Sequence, residues 1–340
     1  MTCGGKLHIS RRTFVRQAGL LAGGMALGAT GPTCMAEEAT SPPQPEHLPR
    51  RVLGRTKVPV SVLSLGTGTV GLSPAVSAPQ IAEIVNTALD LGINFVDTAR
   101  VYDDAEEGVG LGLQRRRQEA FLATKVSADT VRQAEESLAT SLRLLKTDYL
   151  DLVYFHSVGD RDAEQALGPD GVFTWLLKQK KAGQTRFVGI SGHNRPQRFL
   201  RYIETGEVDV VLMAMNFADR YTYGFEEKVL PAARKRNLGV LAMKVFGGKF
   251  GGFPNYGKPN LPPMMDKPYL QLALRYALGL PGVTAVNIGP HDALQLRQNV
   301  DWAKGYRPLS PEENATLAKL GRQLAAQWGE HFGPATAQTR

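Results

Sequence analysis

The stretch Gly92-Ile93-Asn94-Phe95-Val96-Asp97-Thr98-Ala99 decides the fold, because it combines a short apolar run with a charged residue at the end of that run. The run is typical of a buried strand, and stretches typical of amphipathic helices stand on both sides of it, at 78–91 and 106–113. The same alternation of apolar run and amphipathic stretch occurs eight times along the chain. Eight strand–helix units predict an α/β fold, the (β/α)8 or TIM barrel.

The predicted elements alternate along most of the chain. The predicted strands are 62–65, 94–97, 120–124, 150–155, 186–190, 208–213, 239–242 and 285–288. The predicted helices are 78–91, 106–113, 130–144, 172–181, 196–203, 225–236, 269–278 and 293–300. Two elements lie outside the eightfold repeat, an N-terminal β-hairpin at 51–59 and an extra C-terminal helix at 311–327. The strands are apolar on both faces, as expected when helices cover a parallel sheet.

A doubly wound open sheet is the competing fold. Such sheets carry a Gly-x-Gly-x-x-Gly loop after the first strand, and Gly66-Thr67-Gly68-Thr69-Val70-Gly71 fits that spacing. A match to the spacing alone is weak evidence for a doubly wound sheet. No acidic residue ends a second strand about 20 residues further on, where such a fold binds a ribose. The barrel is therefore the favoured architecture.

The first residues of the chain resemble a twin-arginine export signal. Ser10-Arg11-Arg12-Thr13-Phe14-Val15 precedes a weakly apolar run at 18–29, which is much shorter than the ~20 residues that span a bilayer. An amphipathic soluble helix is the alternative interpretation. The signal predicts residues 1–36 as a cleaved peptide, 37–50 as a Pro-rich linker, 51–330 as the barrel and 331–340 as a tail. It implies export of the folded protein by the twin-arginine machinery to the periplasm or another exported location, with no stable membrane span after cleavage.

The composition excludes several functional classes. The net charge is +8, but residues 1–36 contribute four basic and no acidic residues, which leaves +4 for the rest. That remainder has no basic cluster interleaved with aromatic residues, so we expect no nucleic-acid partner. The two cysteines, Cys3 and Cys34, both precede the predicted cleavage point. The mature chain therefore has no disulfide, no thiolate ligand and no cysteine nucleophile, and we predict no metal site.

Four polar residues fall at or just after the ends of consecutive predicted strands. Asp97 ends the second strand, Tyr102 follows in the next loop, and Lys125 and His156 end the third and fourth strands. Taken singly, each has a structural explanation, such as a helix cap for Asp97 or a hydrogen-bonded core histidine for His156. Because barrel enzymes carry their catalytic groups at the C-terminal ends of the strands, the four together predict a catalytic site.

The segment 92–113 resembles the signature of the aldo-keto reductase family. The resemblance covers about residues 51–320 and is carried by Asp97-Thr98-Ala99, Tyr102, Glu106, Lys125, His156, Gly189-Ile190-Ser191-Gly192-His193-Asn194 and the segment 289–299. Ala242-Met243-Lys244, after the seventh strand, is similar to the microbial branch of the family. The resemblance implies an NADP(H)-dependent oxidoreductase that transfers hydride between nicotinamide and a small aldehyde or ketone.

The resemblance also implies a role for each of the four polar residues. Tyr102 is the implied general acid, although the free pKa of a tyrosine, near ~10, is too high for efficient proton exchange at neutral pH. Lys125 is the implied cation that lowers this pKa, and Asp97 holds its ammonium group in place. His156 is implied to donate a hydrogen bond to the carbonyl oxygen and to stabilise the developing charge.

The implied cofactor is NADP(H), with NAD(H) as the alternative. The implied contacts are Gly66, Thr67, Ser191, Met243, Lys244, Phe246, Gly247, Gly248, Gly289, Gln295, Gln298 and Asn299. Gly192, Leu212 and Gln295 stand where the family has an asparagine, a glutamine and the arginine that clamps the 2′-phosphate. Met243 replaces the ring-stacking tyrosine, and its thioether can still cover a ring face. Arg297 is either a substitute phosphate clamp or an exposed helix residue.

Two other functional hypotheses stay open. One is a non-catalytic role, in which the barrel binds a nucleotide as a redox sensor or as a partner subunit. The other is an oxidoreductase that holds its nucleotide tightly and recycles it in place, which would suit a compartment without a free nicotinamide pool. The long loop 246–268 carries four aromatic residues and is predicted to cover an apolar carbonyl substrate.

Overall fold

Eight parallel strands close into a barrel in a computed structural model of the chain, which describes residues 47–68, 76–247 and 265–336. A two-stranded hairpin, β1 (Arg50–Val52) and β2 (Pro59–Ser61), precedes the barrel. The barrel strands are β3 (Leu63–Gly66), β4 (Phe95–Asp97), β5 (Phe121–Val126), β6 (Leu150–Phe155), β7 (Thr185–Gly192), β8 (Val210–Ala214), β9 (Gly239–Met243) and β10 (Ala285–Ile288). Each strand pairs with the next in sequence, and β10 pairs with β3 to close the ring. The predicted (β/α)8 architecture is confirmed.

Helices follow the strands on the outside of the barrel. They are α1 (Ala78–Asp90), α2 (Ala105–Leu113), α3 (Val131–Leu145), α4 (Ala163–Leu167), α5 (Val172–Lys181), α6 (Pro196–Glu204), α7 (Phe225–Lys228), α8 (Leu230–Lys235), α9 (Lys267–Gly279), α10 (Ala293–Lys304) and α11 (Pro311–Trp328). The predicted helix 225–236 is instead two helices, α7 and α8. The break has a local cause, because Pro231 in the first turn of α8 has no N–H to donate to the carbonyl of the preceding turn.

The strands are buried on both faces. Every residue of β5 and of β6 is buried, which explains why their sequences lack a polar alternation. The interior of the barrel is filled by side chains that include Phe95, Phe121, Leu152, Tyr154, Leu212 and Leu241. A larger apolar cluster lies between the strands and the surrounding helices. The barrel is therefore a packed core, and only its ends can hold a ligand.

Several predictions fall on residues outside the described part of the chain. These are the signal peptide at 1–36, most of the linker at 37–50, the cofactor contact Gly248, the centre of the loop 246–268 and the last residues of the tail. No helix within 47–68, 76–247 and 265–336 combines the length and the hydropathy that crossing a membrane requires.

Candidate functional site at the strand ends

Lys125 and Asp97 form a buried ion pair inside the barrel. The Nζ atom of Lys125 donates to Asp97 Oδ2 at 2.7 Å and to the backbone oxygen of Thr98 at 2.8 Å. The two side chains are 1% and 2% exposed. Because Asp97 ends β4 and Lys125 belongs to β5, the pair joins two neighbouring strands at the C-terminal mouth of the barrel.

The carboxylate of Asp97 has a second side-chain donor. Asn287 on β10 donates through Nδ2 to Asp97 Oδ2 at 3.0 Å. Burial raises the pKa of Asp97, while the charge of Lys125 and the hydrogen bonds from Lys125 and Asn287 act against this rise. The anionic form of this carboxylate therefore depends on its two neighbours.

Tyr102 lies beside this pair, in the loop between β4 and α2. The Nζ atom of Lys125 is 4.9 Å from the centroid of the tyrosine ring. The backbone N–H of Tyr102 donates to the oxygen of Ala99 at 3.1 Å, and its oxygen accepts from the N–H of Ala105 at 2.8 Å. The loop is thus tied down on both sides of the tyrosine, whose side chain is half-buried.

Glu106 anchors the helix that follows this loop. It is fully buried in the first turn of α2, where Arg100 donates to it at 2.6 Å and the Thr124 hydroxyl donates to it at 2.6 Å. Thr124 directly precedes Lys125 on β5. The glutamate therefore fixes α2 against the strand that carries the buried lysine.

His156 follows β6 and contacts Ser191 on β7. Its Nδ1 atom lies 2.8 Å from the hydroxyl oxygen of Ser191. Burial, together with the charges of Lys125, Arg161 and Lys244, lowers the pKa of His156 to about 3. The imidazole is therefore neutral near pH 7, with one ring nitrogen as donor and the other as acceptor.

The predicted cofactor contacts fall at the ends of several strands and on one helix. Thr67 follows β3, where its hydroxyl donates to the backbone oxygen of Asp97 at 3.2 Å. The other predicted contacts at strand ends are Gly66 on β3, Ser191 on β7, Met243 at the end of β9, then Lys244, Phe246 and Gly247 after it, and Gly289 after β10. The parallel strands bring these residues to the same end of the barrel as Lys125 and His156.

The remaining predicted contacts lie on α10. Gln295 takes part in the hydrogen bonds that cap the N-terminus of this helix. Its Oε1 accepts from the N–H of His291, and its own N–H donates to the Asp292 side chain. Arg297 and Gln298 are exposed, whereas Asn299 is buried. Arg297 is thus an exposed cation on this helix.

Two residues near the predicted nicotinamide contacts have structural roles. Leu212 packs in the apolar interior of the barrel. Asn194 donates through Nδ2 to Asp160 at 2.8 Å and to the backbone oxygen of Phe332 at 3.1 Å. The asparagine therefore supports the segment that follows α11.

That segment packs against His193, which neighbours His156. Phe332 is 3% exposed, and its ring centroid lies 5.1 Å from that of His193. The His193 centroid in turn lies 6.4 Å from that of His156. The N–H of Phe332 donates to the Tyr223 hydroxyl at 2.7 Å. The sequence predicted Phe332 only as part of a tail at 331–340, because a short segment without periodicity gives no signal of where it packs.

Asn287 is the functional-site residue that sequence analysis missed. It stands in the strand Ala285–Ile288, in which its three neighbours are apolar. A polar residue within an apolar barrel strand was the available signal. Among the described residues, no group of three or more His, Cys, Asp or Glu side chains is arranged to hold a metal ion.

The chain is similar to known proteins over most of its length. Residues 62–268 match the model of the Aldo/keto reductase family. The uncharacterized oxidoreductase YqkF of Bacillus subtilis is 27% identical over 311 residues, which cover 81% of this chain and 97% of that protein. The L-galactose dehydrogenase of Arabidopsis thaliana is 28% identical over 291 residues, covering 74% and 86% of the two chains.

The solved structures agree with the sequence relatives. The aldo-keto reductase AKR11C1 from Bacillus halodurans, in its holo form, superposes with a TM-score of 0.64 at 27% identity. The superposition covers 81% of this chain and 96% of that chain. The likeness extends over most of both proteins.

Proposed function

The chain belongs to the aldo/keto reductase family and is an oxidoreductase, and from this premise we propose that it transfers hydride between NADP(H) and a small aldehyde or ketone, with Tyr102 as general acid. The observation that carries the proposal is the buried Lys125–Asp97 pair, whose ammonium group lies 4.9 Å from the Tyr102 ring. Binding of a nucleotide alone does not require a phenol beside a buried cation, so this arrangement favours catalysis.

Reduction of a carbonyl leaves an alkoxide that needs a proton. In the proposed reaction, the hydroxyl of Tyr102 donates this proton, and the ring is left as a phenolate. The ammonium group of Lys125 stabilises the phenolate by Coulombic attraction, which is strong in a site that excludes water. Asp97 holds the ammonium in position and balances its charge before the reaction.

His156 is proposed to orient the carbonyl. Its imidazole is neutral near pH 7, because burial and nearby cations lower its pKa to about 3. When Nδ1 accepts from the Ser191 hydroxyl, Nε2 carries the proton and donates a hydrogen bond to the carbonyl oxygen. This donor stabilises the negative charge that develops on the oxygen.

The strand-end face suits a nicotinamide dinucleotide, which when bound supplies the hydride. Lys244 follows β9, and its ammonium group is proposed to bind the phosphates of the dinucleotide. The charge of Lys244 also contributes to the lowered pKa of His156. The Ser191 oxygen, whose proton is donated to His156 Nδ1, can accept a hydrogen bond from an amide N–H. The exposed Arg297 on α10 is proposed to bind the 2′-phosphate, which would make NADP(H) the preferred cofactor over NAD(H).

The proposal is tested with the purified full-length protein, NADPH and a panel of aliphatic and aromatic aldehydes. We expect oxidation of NADPH by the wild type and none above background by the Tyr102→Phe variant, which should still quench its fluorescence on binding NADPH. Tyr149→Phe is the matched control, because Tyr149 is a half-buried tyrosine that directly precedes β6, at the end of the barrel opposite the proposed site. Turnover that persists in Tyr102→Phe would exclude this residue as the acid, and a wild type that binds no nucleotide would exclude the reductase.

We also propose that residues 1–36 are a twin-arginine signal and that the barrel at 51–330 works after export, in the periplasm or an equivalent location. The support is the paired Arg11 and Arg12 ahead of a short apolar run. Fractionation of expressing cells should find the wild type cleaved and exported, and Arg11→Lys/Arg12→Lys retained at full length in the cytoplasm. A wild type that stays uncleaved in the cytoplasm would contradict this location.

A further inference from the structure

A chain of hydrogen bonds at the base of the site joins four neighbouring strands of the barrel, β10, β3, β4 and β5. The Ser64 hydroxyl on β3 donates to Asn287 Oδ1 at 3.1 Å, and Asn287 Nδ2 on β10 donates to Asp97 Oδ2 at 3.0 Å. Asp97 Oδ2 also accepts from Lys125 Nζ at 2.7 Å. A single carboxylate oxygen is thus shared by the ammonium group and the amide.

The orientation of the amide follows from the chemistry of its two neighbours. A carboxylate oxygen can only accept, so Asn287 must present its NH2 group to Asp97. Its oxygen then faces the Ser64 hydroxyl, which can donate. Because Ser64 is fully buried and lies opposite Asn287 in the β3–β10 register, it holds the amide in this orientation.

Gly66 makes this arrangement possible. Asn287 belongs to β10 and Asp97 to β4, and β3 runs between them. A Cβ atom on Gly66 would come within 2.9 Å of Asn287 Oδ1 and 3.0 Å of Nδ2. Without a side chain at this position of β3, the amide can pass over the strand and reach the carboxylate.

We propose that Asn287, held by Ser64, is a positioning residue of the reductase site that keeps Asp97 in the ionised form on which the charge of Lys125 depends. The inference rests on the proposed function. Asp97 Oδ1 has no hydrogen-bond partner among the described residues, so the hydrogen bonds that stabilise the anion are those from Lys125 and Asn287 to Oδ2. Loss of the amide donor makes the anion costlier in a buried site, and the proton of Lys125 then shifts toward Asp97.

This proton shift has a predictable effect on Tyr102. When the proton moves from Lys125 Nζ to Asp97 Oδ2, the ion pair becomes a neutral amine and a neutral carboxyl group. The phenolate of Tyr102 then loses its neighbouring positive charge. Tyrosinate should form at higher pH, and proton donation to the alkoxide should slow down.

The experiment measures the tyrosinate absorbance of the nucleotide-free full-length protein against pH. Because the chain has ten tyrosines, each protein is compared with the same protein carrying Tyr102→Phe, and the difference reports Tyr102 alone. We expect Asn287→Leu to move the midpoint of this difference titration upward by about one pH unit and to lower turnover with NADPH about tenfold. The dissociation constant for NADPH should stay within about twofold, since Asn287 acts through Asp97.

Two further variants and a control variant complete the test. Ser64→Ala, which leaves Asn287 in place but releases its amide, should shift the midpoint in the same direction by less, and it remains informative if Asn287→Leu fails to fold. The double variant should match Asn287→Leu alone, because the two residues act in one chain. Thr284→Val, which removes a buried hydroxyl just before β10, is the matched control and should leave the midpoint unchanged.

The outcomes separate this inference from the proposed function. A wild-type midpoint and wild-type turnover in Asn287→Leu would overturn the positioning role while leaving the reductase intact. A shifted midpoint in a protein that reduces no carbonyl would support the linkage between Asn287 and Tyr102 and would reject the proposed reaction. A defect in packing alone would lower stability without moving the titration of Tyr102.

Discussion

His331 Nε2 lies 2.7 Å from Asp219 Oδ1, and both side chains are 1% exposed. The other carboxylate oxygen of Asp219 accepts from Asn216 Nδ2 at 2.6 Å, and the same amide donates to the backbone oxygen of Lys244 at 3.0 Å. The segment after α11 is therefore joined, through buried polar side chains, to the residue that follows β9.

Asp219→Ala should destabilise the protein by about 3 kcal/mol, because it leaves His331 and the Asn216 amide without their shared buried partner. Urea denaturation followed by circular dichroism measures this free energy. Asp301→Ala is the control, since Asp301 is exposed on α10 and should cost less than about 0.5 kcal/mol. Equal midpoints for the two variants would show that the buried pair does not stabilise the fold.

His156 should make the stability depend on pH. The pKa of this histidine is about 3 in the folded protein, against an ordinary value of 6.5. As the pH falls below about 6.5, the unfolded chain gains a proton on this histidine that the folded protein does not. The contribution of His156 to the free energy of unfolding is therefore fully present above about pH 6.5. It decreases by about 1.4 kcal/mol per pH unit down to about pH 3. His156→Gln lacks this contribution.

The stability gap between the wild type and His156→Gln should therefore narrow by about 1.4 kcal/mol per unit between about pH 6 and pH 4. Urea denaturation of both proteins in the same buffers gives the two curves. A gap that stays constant with pH would mean that the histidine is not buried in its neutral form.

Lys125→Met should separate activity from stability. The variant leaves the Asp97 carboxylate buried without its cation, which should cost about 3 kcal/mol of stability. Turnover with NADPH should fall by about a thousandfold, because Tyr102 loses the charge that favours its phenolate.

Adding Asp97→Asn to Lys125→Met should restore much of the stability and none of the turnover, since the uncompensated charge is gone but the cation is still missing. Thermal denaturation measures the stability, and steady-state kinetics on the same samples measure the turnover. Recovered turnover in the double variant would show that the cation is not needed.

Arg297→Ala should weaken the binding of NADPH more than the binding of NADH, because the guanidinium is proposed to bind only the 2′-phosphate. We expect the KM for NADPH to rise about tenfold while that for NADH changes less than twofold. Gln295→Arg should act in the opposite direction and favour NADPH further. A proportional rise for both nucleotides in Arg297→Ala would assign this residue to another part of the cofactor.

The sequence predicted the barrel well because its strands are short apolar runs separated by amphipathic stretches. Where the pattern was interrupted, it was less informative. The segment 225–236 has helical periodicity throughout, and only the position of Pro231 indicates the break between α7 and α8. The short helix Ala163–Leu167 has too few residues for a periodic signal.

The site was predictable where a residue type is unusual for its place in a strand. Lys125 and Asp97 are charges at the ends of apolar runs, and they form the buried pair. Tertiary contacts between residues far apart in the sequence were not predictable. Asn287 reaches Asp97 across β3, and Phe332 meets His193 from the far end of the chain. The residues of each pair are far apart in the sequence, and nothing in the pattern around either residue indicates its partner.

Closure of the ring by β3 and β10 has a consequence for biosynthesis. The first barrel strand, which starts at Leu63, finds its second neighbour only when the strand that starts at Ala285 has emerged from the ribosome. Until then β3 has an unpaired edge, and Asp97 lacks Asn287. A nascent chain that ends before β10 therefore has neither a closed sheet nor a complete site, and closure of the barrel during synthesis must wait until β10, at residues 285–288 of 340, has been made.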